Sequence, residues 1–368
     1  MYRTHILRRV REQRVLHSVT IELTYRCNLD CFFCYNDRDK AGTPLSLKDY
    51  EVLLTDLARM QTLFVMLTGG EPMIHPLFFD IARLTRELGF VVSVRTNGHN
   101  LGQRNVLRLR DEVNPYIVEV SMHGATASVH DRQTRIQGSF ERLLMNLKIA
   151  KTANLRCGVV VTPTVWNEHQ IDEMFVLCDS MDIPLRFQGP VAPRDNGDID
   201  TLALQPAERT WQKIEEMVTS RHRAGSSGCL QATERPIHHG AREKEAMCSV
   251  GVAGVDIDPY GNVLACMHLQ KRAGNIHEKP IDEIWHHSPL FQRARNRAIS
   301  AAEQFTDKAP RQFGAPLYCI AVEENVGTST NPKGIAGSLR RGGRNQTPMK
   351  GSKGCAGKAD QRAKTEGQ

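Results

Sequence analysis

Three cysteines, Cys27, Cys31 and Cys34, fall within the run T-Y-R-C-N-L-D-C-F-F-C-Y-N as C-x3-C-x2-C. A loop can fold such a run back so that three thiolates face one centre. Thiolates are soft ligands, and they select zinc, copper(I) or iron–sulfur clusters. Most zinc and iron–sulfur sites use four protein ligands. Here the local count stops at three, and no His follows at zinc-finger spacing. A cubane held by three cysteines leaves one iron open to a substrate or cofactor, which turns an electron-transfer centre into a catalytic one. A structural zinc loop or three unrelated buried cysteines are the other readings of the spacing alone.

Further chemistry-bearing residues follow in order. T-G-G-E-P (68–72) offers Gly69 and Gly70, which let backbone approach a ligand closely, and Glu71, which can accept from an ammonium. R-T-N-G (95–98) places Asn97 in a turn-forming pair with Gly98. V-S-M-H-G (120–124) supplies Ser121, and H-D-R-Q-T-R-I-Q-G-S-F (130–140) supplies Arg135. An arginine fork suits a carboxylate through two parallel hydrogen bonds. Residues 248–266 alternate on either side of the turn P-Y-G-N, so they read as a hairpin with Cys248 and Cys266 at its outer ends. Those two thiols converge. Cys319, Cys355 and Cys229 lie elsewhere in the C-terminal half.

The C-x3-C-x2-C run, with the aromatic Phe33 before its last cysteine, resembles the signature of the radical S-adenosylmethionine (SAM) superfamily. The resemblance implies a 4Fe-4S cluster on Cys27, Cys31 and Cys34 whose open iron chelates the amino and carboxylate groups of SAM. One electron then splits the sulfonium, and a 5′-deoxyadenosyl radical abstracts hydrogen from the substrate. It also implies that Gly69, Gly70 and Glu71 bind the SAM amino group and that Asn97 lies near the ribose. Ser121 and Arg135 become candidates for the ribose and carboxylate. His123 stands where members commonly carry Asp. The hairpin, G-N-I (274–276) and I-D-E-I-W (281–285) resemble a SPASM/Twitch extension, which houses auxiliary clusters. Cys248, Cys266 and Cys319 would hold one such cluster, with Cys355, Cys229 or a non-Cys group as fourth ligand. A full SPASM domain has more closely spaced cysteines, so a second cluster is short of ligands. Such extensions are common in enzymes that modify ribosomally made peptides, so a peptide substrate is expected. Only about 17 residues precede the first strand, which leaves no room there for a leader-binding domain. A small molecule (tetrapyrrole, sugar or alcohol) is the alternative substrate. A non-catalytic iron–sulfur carrier is the alternative class, and it would need no SAM pocket. The electron would come from a reductant such as flavodoxin or ferredoxin.

These residues need a frame. Short apolar runs at 18–23, 63–67, 90–95, 116–121, 156–162 and 183–188 read as strands. Helical periodicity fills 46–60, with Ser46 as cap, then 76–88 up to Gly89, 103–111, 140–153, 168–181 and 204–219. Apolar strands alternating with amphipathic helices give an α/β fold with a parallel sheet. Six such units resemble a partial (β/α)6 TIM barrel with a small C-terminal auxiliary-cluster domain. In barrels chemistry collects on the loops after the strands, where the cysteines, the Gly-Gly-Glu turn, Asn97 and Ser121 all fall. The expected divisions are the barrel at 1–190, a connecting segment at 191–247, the SPASM/Twitch-like domain at 248–325 and a basic disordered tail at 326–368. His75, His123 and His130 read as loop hydrogen-bonders, Cys157 and Cys178 as core, and His286 and His287 as surface.

Composition narrows the classes. The chain has 368 residues, 40% hydrophobic and 24% charged, as globular proteins do. It has no apolar run of about 18 residues and no signal-peptide pattern at its start. Ten cysteines without an export signal favour cluster ligation in a reducing cytoplasm over disulfides. The whole formal charge of +7 resides in residues 331–368, and the rest is neutral, which argues against a nucleic-acid-binding body.

Overall fold

The structure, a computed structural model, describes residues 10, 12–223, 251–266 and 269–304. Cys229, Cys248, Cys319, Cys355 and the segment 326–368 lie outside the described residues. Strands β1 (Ser18–Glu22), β2 (Phe64–Thr68), β3 (Val91–Thr96), β4 (Ile117–Ser121), β5 (Cys157–Val161) and β6 (Leu185–Phe187) pair in parallel in chain order. Helices α1 (Leu47–Arg59), α2 (Phe78–Glu87), α3 (Gln103–Arg108), α4 (Ala127–Thr134), α5 (Ser139–Thr152) and α6 (Ile171–Ser180) connect them. Parallel crossovers are right-handed almost without exception, so these helices gather on one face of the sheet.

Strand side chains alternate between two faces. Val19, Val65 and Val92 form one in-register row, and Ile21, Leu67, Val94 and Val118 another. Both rows are buried in the core with Tyr50, Leu53, Leu54 and Leu57 of α1. The other face carries Thr20, Glu22, Met66, Thr68, Ser93, Arg95, Glu119 and Gly158. It lines the inside of a barrel left open beyond β6, the expected partial (β/α)6 barrel.

Local chemistry explains most boundaries. Ser46 and Asp49 form a capping box at the start of α1. Gly89, at φ +91°, ends the α2 turn where an L side chain would be strained. Helix α4 has no counterpart among the sequence-predicted elements, because its buried residues are His130, Gln133 and Thr134 and it shows no apolar period. The helix expected at 103–111 instead passes from α3 into a π-turn at Leu109–Val113. That expected at 204–219 lies later, as α7 (Glu208–Arg223).

The predicted hairpin forms, as β7 (Gly254–Ile257) and β8 (Asn262–Cys266), but it does not stand apart. Strand β7 pairs in parallel with β1, so the barrel sheet runs on through β7, β8 and β9 (Leu269–Asn275) to nine strands. Strand β9 went unpredicted because Lys271 and Arg272 break any apolar alternation, as charges often do on an edge strand. Helices α8 (Ile281–His287) and α9 (Pro289–Gln304) follow. A Cβ at Gly274 would stand 2.8 Å from Ile284, so the glycine is what lets α8 lie against β9.

Glu22 ends β1 on the inner face, fully buried, and accepts from the Tyr35 hydroxyl at 2.7 Å. Burial, helped by Asp195, Asp256 and Asp258, pushes its pKa up to about 8. An unfolded-chain Glu titrates near about 4.3. Across that window the folded chain keeps a proton that the unfolded chain has lost, so stability falls as pH rises and levels off above it. Asp195, raised to about 7 chiefly by burial, acts the same way. Glu22→Gln should therefore flatten the fall in urea midpoint between about pH 5 and pH 8. A slope equal to that of the wild type would refute this assignment.

Candidate functional site

The cysteine loop leaves β1 and folds back over the end of the barrel. Cys34 N–H donates to the Cys31 carbonyl at 3.1 Å, a turn that brings the last two thiols together. Leu29 N–H donates to Cys27 Sγ at 3.4 Å. All three thiols titrate high, first because they are buried. For Cys31 the next causes are Cys34 and Cys27 themselves, and Cys34 is raised to about 11. Three partly buried thiols that repel one another as thiolates are a poor resting state. A bound cluster removes the conflict, because a metal deprotonates a coordinating thiol outright. Among the described residues no three His, Cys, Asp or Glu converge as ligands of a single ion do. A cluster asks for less convergence, since each thiol binds a different iron. Three thiolate donors are a soft set of the kind that holds an iron–sulfur cluster.

The loop is clasped from four sides. Gly70 N–H donates to the Thr24 carbonyl at 2.6 Å, and Glu71 N–H to the Arg26 carbonyl at 2.9 Å. A Cβ on Gly69 would lie 2.4 Å from Thr24 O, and one on Gly70 2.2 Å from Arg26 O. These glycines were expected to admit a ligand, and what approaches them here is the cysteine loop's own backbone. From α4, the carbonyls of Thr134 and Gln133 accept from Asp30 and Phe32. Arg194 donates to the carbonyls of Cys34 and Phe32, at 3.0 and 2.7 Å. Arg38 donates to the Leu29 carbonyl and pairs with Asp30.

Glu71 is fully buried, and burial raises its pKa to about 7. It accepts from Met73 N–H, the Thr96 hydroxyl and Asn97 N–H at 3.0, 2.7 and 2.7 Å. Asn97 in turn donates Nδ2 to Asn28 Oδ1 at 2.7 Å, one residue from Cys27. So the structure brings Cys27, Cys31, Cys34, Gly69, Gly70, Glu71 and Asn97 into one bonded unit. Ser121 sits at the end of β4 on the same inner face. Arg135, in the left-handed conformation that closes α4, points its Nε to Asp30 at 3.3 Å and is half exposed. Cys266 ends β8 and is partly buried, and it is the described member of the second cysteine set.

His75 accepts from Leu77 N–H within its loop, whereas His130 stands on α4 and accepts from His123 N–H in the chain after β4. His123 does not follow suit. It is buried against Phe33 of the cysteine loop, ring centroids 4.7 Å apart, and its Nδ1 has no hydrogen-bond partner among the described residues. Asn36 Oδ1 and Asp195 Oδ2 are likewise buried without hydrogen-bond partners among the described residues, the first two residues past Cys34 and the second next to Arg194. Unmet polar atoms beside the thiols suit a polar cofactor. The sequence reading missed Arg194, because a Pro/Gly-rich stretch (188–198) shows no sign of which backbone it grips. It also missed Glu22 and Tyr35, whose pairing depends on the loop's return path.

Gly70→Ala should displace the cysteine loop, since its Cβ meets backbone with no flexible end to yield. Iron bound after anaerobic reconstitution should fall well below the wild type. Full iron loading in that variant would contradict the clasp.

The pattern of the radical SAM superfamily matches residues 21–178, and that of the SPASM iron–sulfur cluster-binding domain matches residues 248–310. The chain is 32% identical over 306 residues to the mycofactocin maturase MftC of Mycobacterium ulcerans (strain Agy99), covering 77% of this chain and 78% of that protein. It is 27% identical over 293 residues to the AdoMet-dependent heme synthase of Methanosarcina barkeri (strain Fusaro / DSM 804), covering 75% and 83%. Its fold is similar to that of Streptococcus suis SuiB bound to precursor peptide SuiA, with a TM-score of 0.63 at 18% identity over 87% of this chain and 75% of that one. Among the described residues no helix is long and apolar enough to cross a membrane. Alignment of that length and identity, on a barrel whose first loop gathers the three thiols, makes this chain a member of the radical SAM superfamily with a SPASM domain on its C-terminal side.

Proposed function

We propose that this radical SAM enzyme matures a ribosomally made peptide, with Cys27, Cys31 and Cys34 holding the 4Fe-4S cluster. One observation carries the site. The cysteine loop, the Gly69–Glu71 turn and Asn97 are hydrogen-bonded to one another at one end of the barrel. When bound, the cluster and SAM supply one-electron cleavage of the sulfonium and a 5′-deoxyadenosyl radical that takes hydrogen from substrate. The protein positions, orients and excludes water. The Glu71 carboxylate is committed to Thr96, Asn97 and Met73, so it sets the shape of the turn. The carbonyls of Gly69 and Gly70 are then the acceptors this turn offers to an ammonium. Ser121, on the inner face at the end of β4, suits a ribose hydroxyl. Arg135 reads the SAM carboxylate by exchanging Asp30 for it.

Cys248, Cys266 and Cys319 hold one auxiliary cluster, and a flavodoxin or ferredoxin supplies the electron. The barrel occupies 1–190 and the connecting segment 191–247. The SPASM/Twitch-like part, 248–325, begins just before β7, and the basic tail is 326–368. The site works in the cytoplasm, where thiols stay reduced. The peptide reading is supported by the 32% identity to a protein named a maturase. A tetrapyrrole substrate is the second reading, favoured by the 27% identity to a protein named a heme synthase.

Reconstituted anaerobically, the protein should convert SAM to 5′-deoxyadenosine on addition of dithionite. The Cys27→Ala/Cys31→Ala/Cys34→Ala variant should form none yet retain iron on the second cysteine set. No product from the wild type would leave an electron carrier as the function, and an iron-free variant would remove the auxiliary cluster. Co-expression with a short peptide encoded beside it should change that peptide's mass. An unchanged mass with SAM turnover intact would move the assignment to the tetrapyrrole.

A further inference from the structure

The side-chain amide of Asn97 spends its groups inside the protein. Its Oδ1 accepts from His99 N–H at 3.0 Å, which closes the turn through Gly98. Its Nδ2 carries two hydrogens and meets two acceptors, Asn28 Oδ1 at 2.7 Å and Cys27 Sγ at 3.7 Å. Hydrogen bonds to sulfur run longer than those to oxygen because sulfur is the larger atom. Leu29 N–H donates to the same sulfur at 3.4 Å. Cys27 Sγ therefore takes one donor from its own loop and one from the loop after β3.

That second donor stands on a turn fixed from several sides. Asn97 N–H donates to Glu71 Oε2 at 2.7 Å. From α5, the buried Asn146 donates Nδ2 to the carbonyls of Gly98 and His99, at 2.8 and 3.0 Å. His99 Nε2 lies 3.2 Å from the Ser139 carbonyl. Gly98 is at φ +80°, and a Cβ there would stand 2.7 Å from Val120. The partners also fix which way the amide faces, since His99 N–H needs an oxygen and Asn28 Oδ1 needs a donor.

As a thiol, Cys27 reaches Asn28 Oδ1 at 4.0 Å. As a cluster ligand it has no hydrogen to give, so its sulfur is only an acceptor. Hydrogen bonds to the sulfurs are among the factors that set a cluster's reduction potential. An N–H donor favours the state with more negative charge, which is the reduced one. We propose that Asn97 is a positioning residue of the cluster, whose amide donates to Cys27 Sγ and raises the cluster's reduction potential. This rests on the radical SAM reading above. It moves Asn97 from the ribose to the cluster and leaves the ribose to Ser121.

The test uses the full chain, reconstituted anaerobically, with Asn97→Asp, Asn97→Ala and Asn28→Ala variants. Each is titrated with dithionite and mediators while EPR follows the reduced cluster. The signal read is the one missing from the Cys27→Ala/Cys31→Ala/Cys34→Ala variant. Asn97→Asp keeps an acceptor for His99 N–H and loses both donor hydrogens, and Asn97→Ala loses them without adding charge. In both, the equilibrium constant for reduction should fall about tenfold, the worth of one hydrogen bond to a charged group, or about 59 mV for one electron. Asn28→Ala leaves the amide with Cys27 as its acceptor, so its potential should not fall. A fall in the Asp variant alone reports the added charge and overturns the proposal. An equal fall in all three variants reports a displaced loop and also overturns it. SAM affinity is measured on the same samples. Lost SAM binding at an unmoved potential returns Asn97 to the ribose, against the proposal. A wild type that loads no cluster on these cysteines removes the parent reading and this one with it, whereas a loaded cluster of unshifted potential removes this one alone.

Discussion

The site depends on two short hydrogen bonds, from Gly70 and Glu71 N–H to the carbonyls of Thr24 and Arg26. They join the loop after β1 to the loop after β2 along their backbones. Such bonds fix position more closely than side-chain contacts do, because the peptide units have no rotamers to explore. The two glycines are what make the approach possible, since a Cβ at either would overlap a carbonyl oxygen. Glycine at 69 and 70 is thus explained without reference to a ligand. A steric requirement of the fold is enough to place glycine at both positions.

Crowding three partly buried thiols into a loop held by backbone bonds carries an electrostatic consequence. As thiolates they repel one another in a medium that screens poorly. The surrounding cations, Arg38 and Arg194, offset this only in part, and both spend hydrogen bonds on loop carbonyls. The loop is therefore arranged for ligands that something more highly charged will hold ionised. The clasp keeps the backbone in place while the thiols wait, so loading need not build the loop from a disordered chain.

The six parallel strands, the capped helix α1 and the order of the functional loops were legible in the sequence. Each rests on local pattern: Val/Ile runs, a Ser-x-x-Asp box, Gly after the last turn. Helix α4 was hidden because its buried face is His, Gln and Thr, satisfied by bonds to the chain following β4 and β5. Strand β9 was hidden by its charges, and its pairing is decided by β8. Within the site, residue types were legible and partners were not. Glu71 looked like a group reaching for a ligand, and it turns inward to Asn97. Arg135 looked free for a carboxylate, and Asp30 already meets it. Arg95, Glu119 and Arg186 looked like unrelated strand residues, because they lie on three different strands and only the folded sheet brings them together.

The C-terminal extension is tied to the cysteine loop as firmly as the barrel is. Strand β1, from which that loop springs, is hydrogen-bonded to β2 on one side and β7 on the other. Asp258, fully buried just past β7, takes Tyr260 N–H, Asn262 N–H and Asn262 Nδ2 into its own turn. The same carboxylate meets the Tyr25 hydroxyl at 3.4 Å and Lys40 Nζ at 3.6 Å, both from the cysteine-loop region. Tyr260 returns a bond to the Lys40 carbonyl, and its ring fills the space against Gly42. A buried ion that loses one partner costs far more than the pair contributes. Moving the hairpin away from the loop would leave Asp258 in that position. The extension and the cluster loop therefore hold a fixed geometry relative to each other.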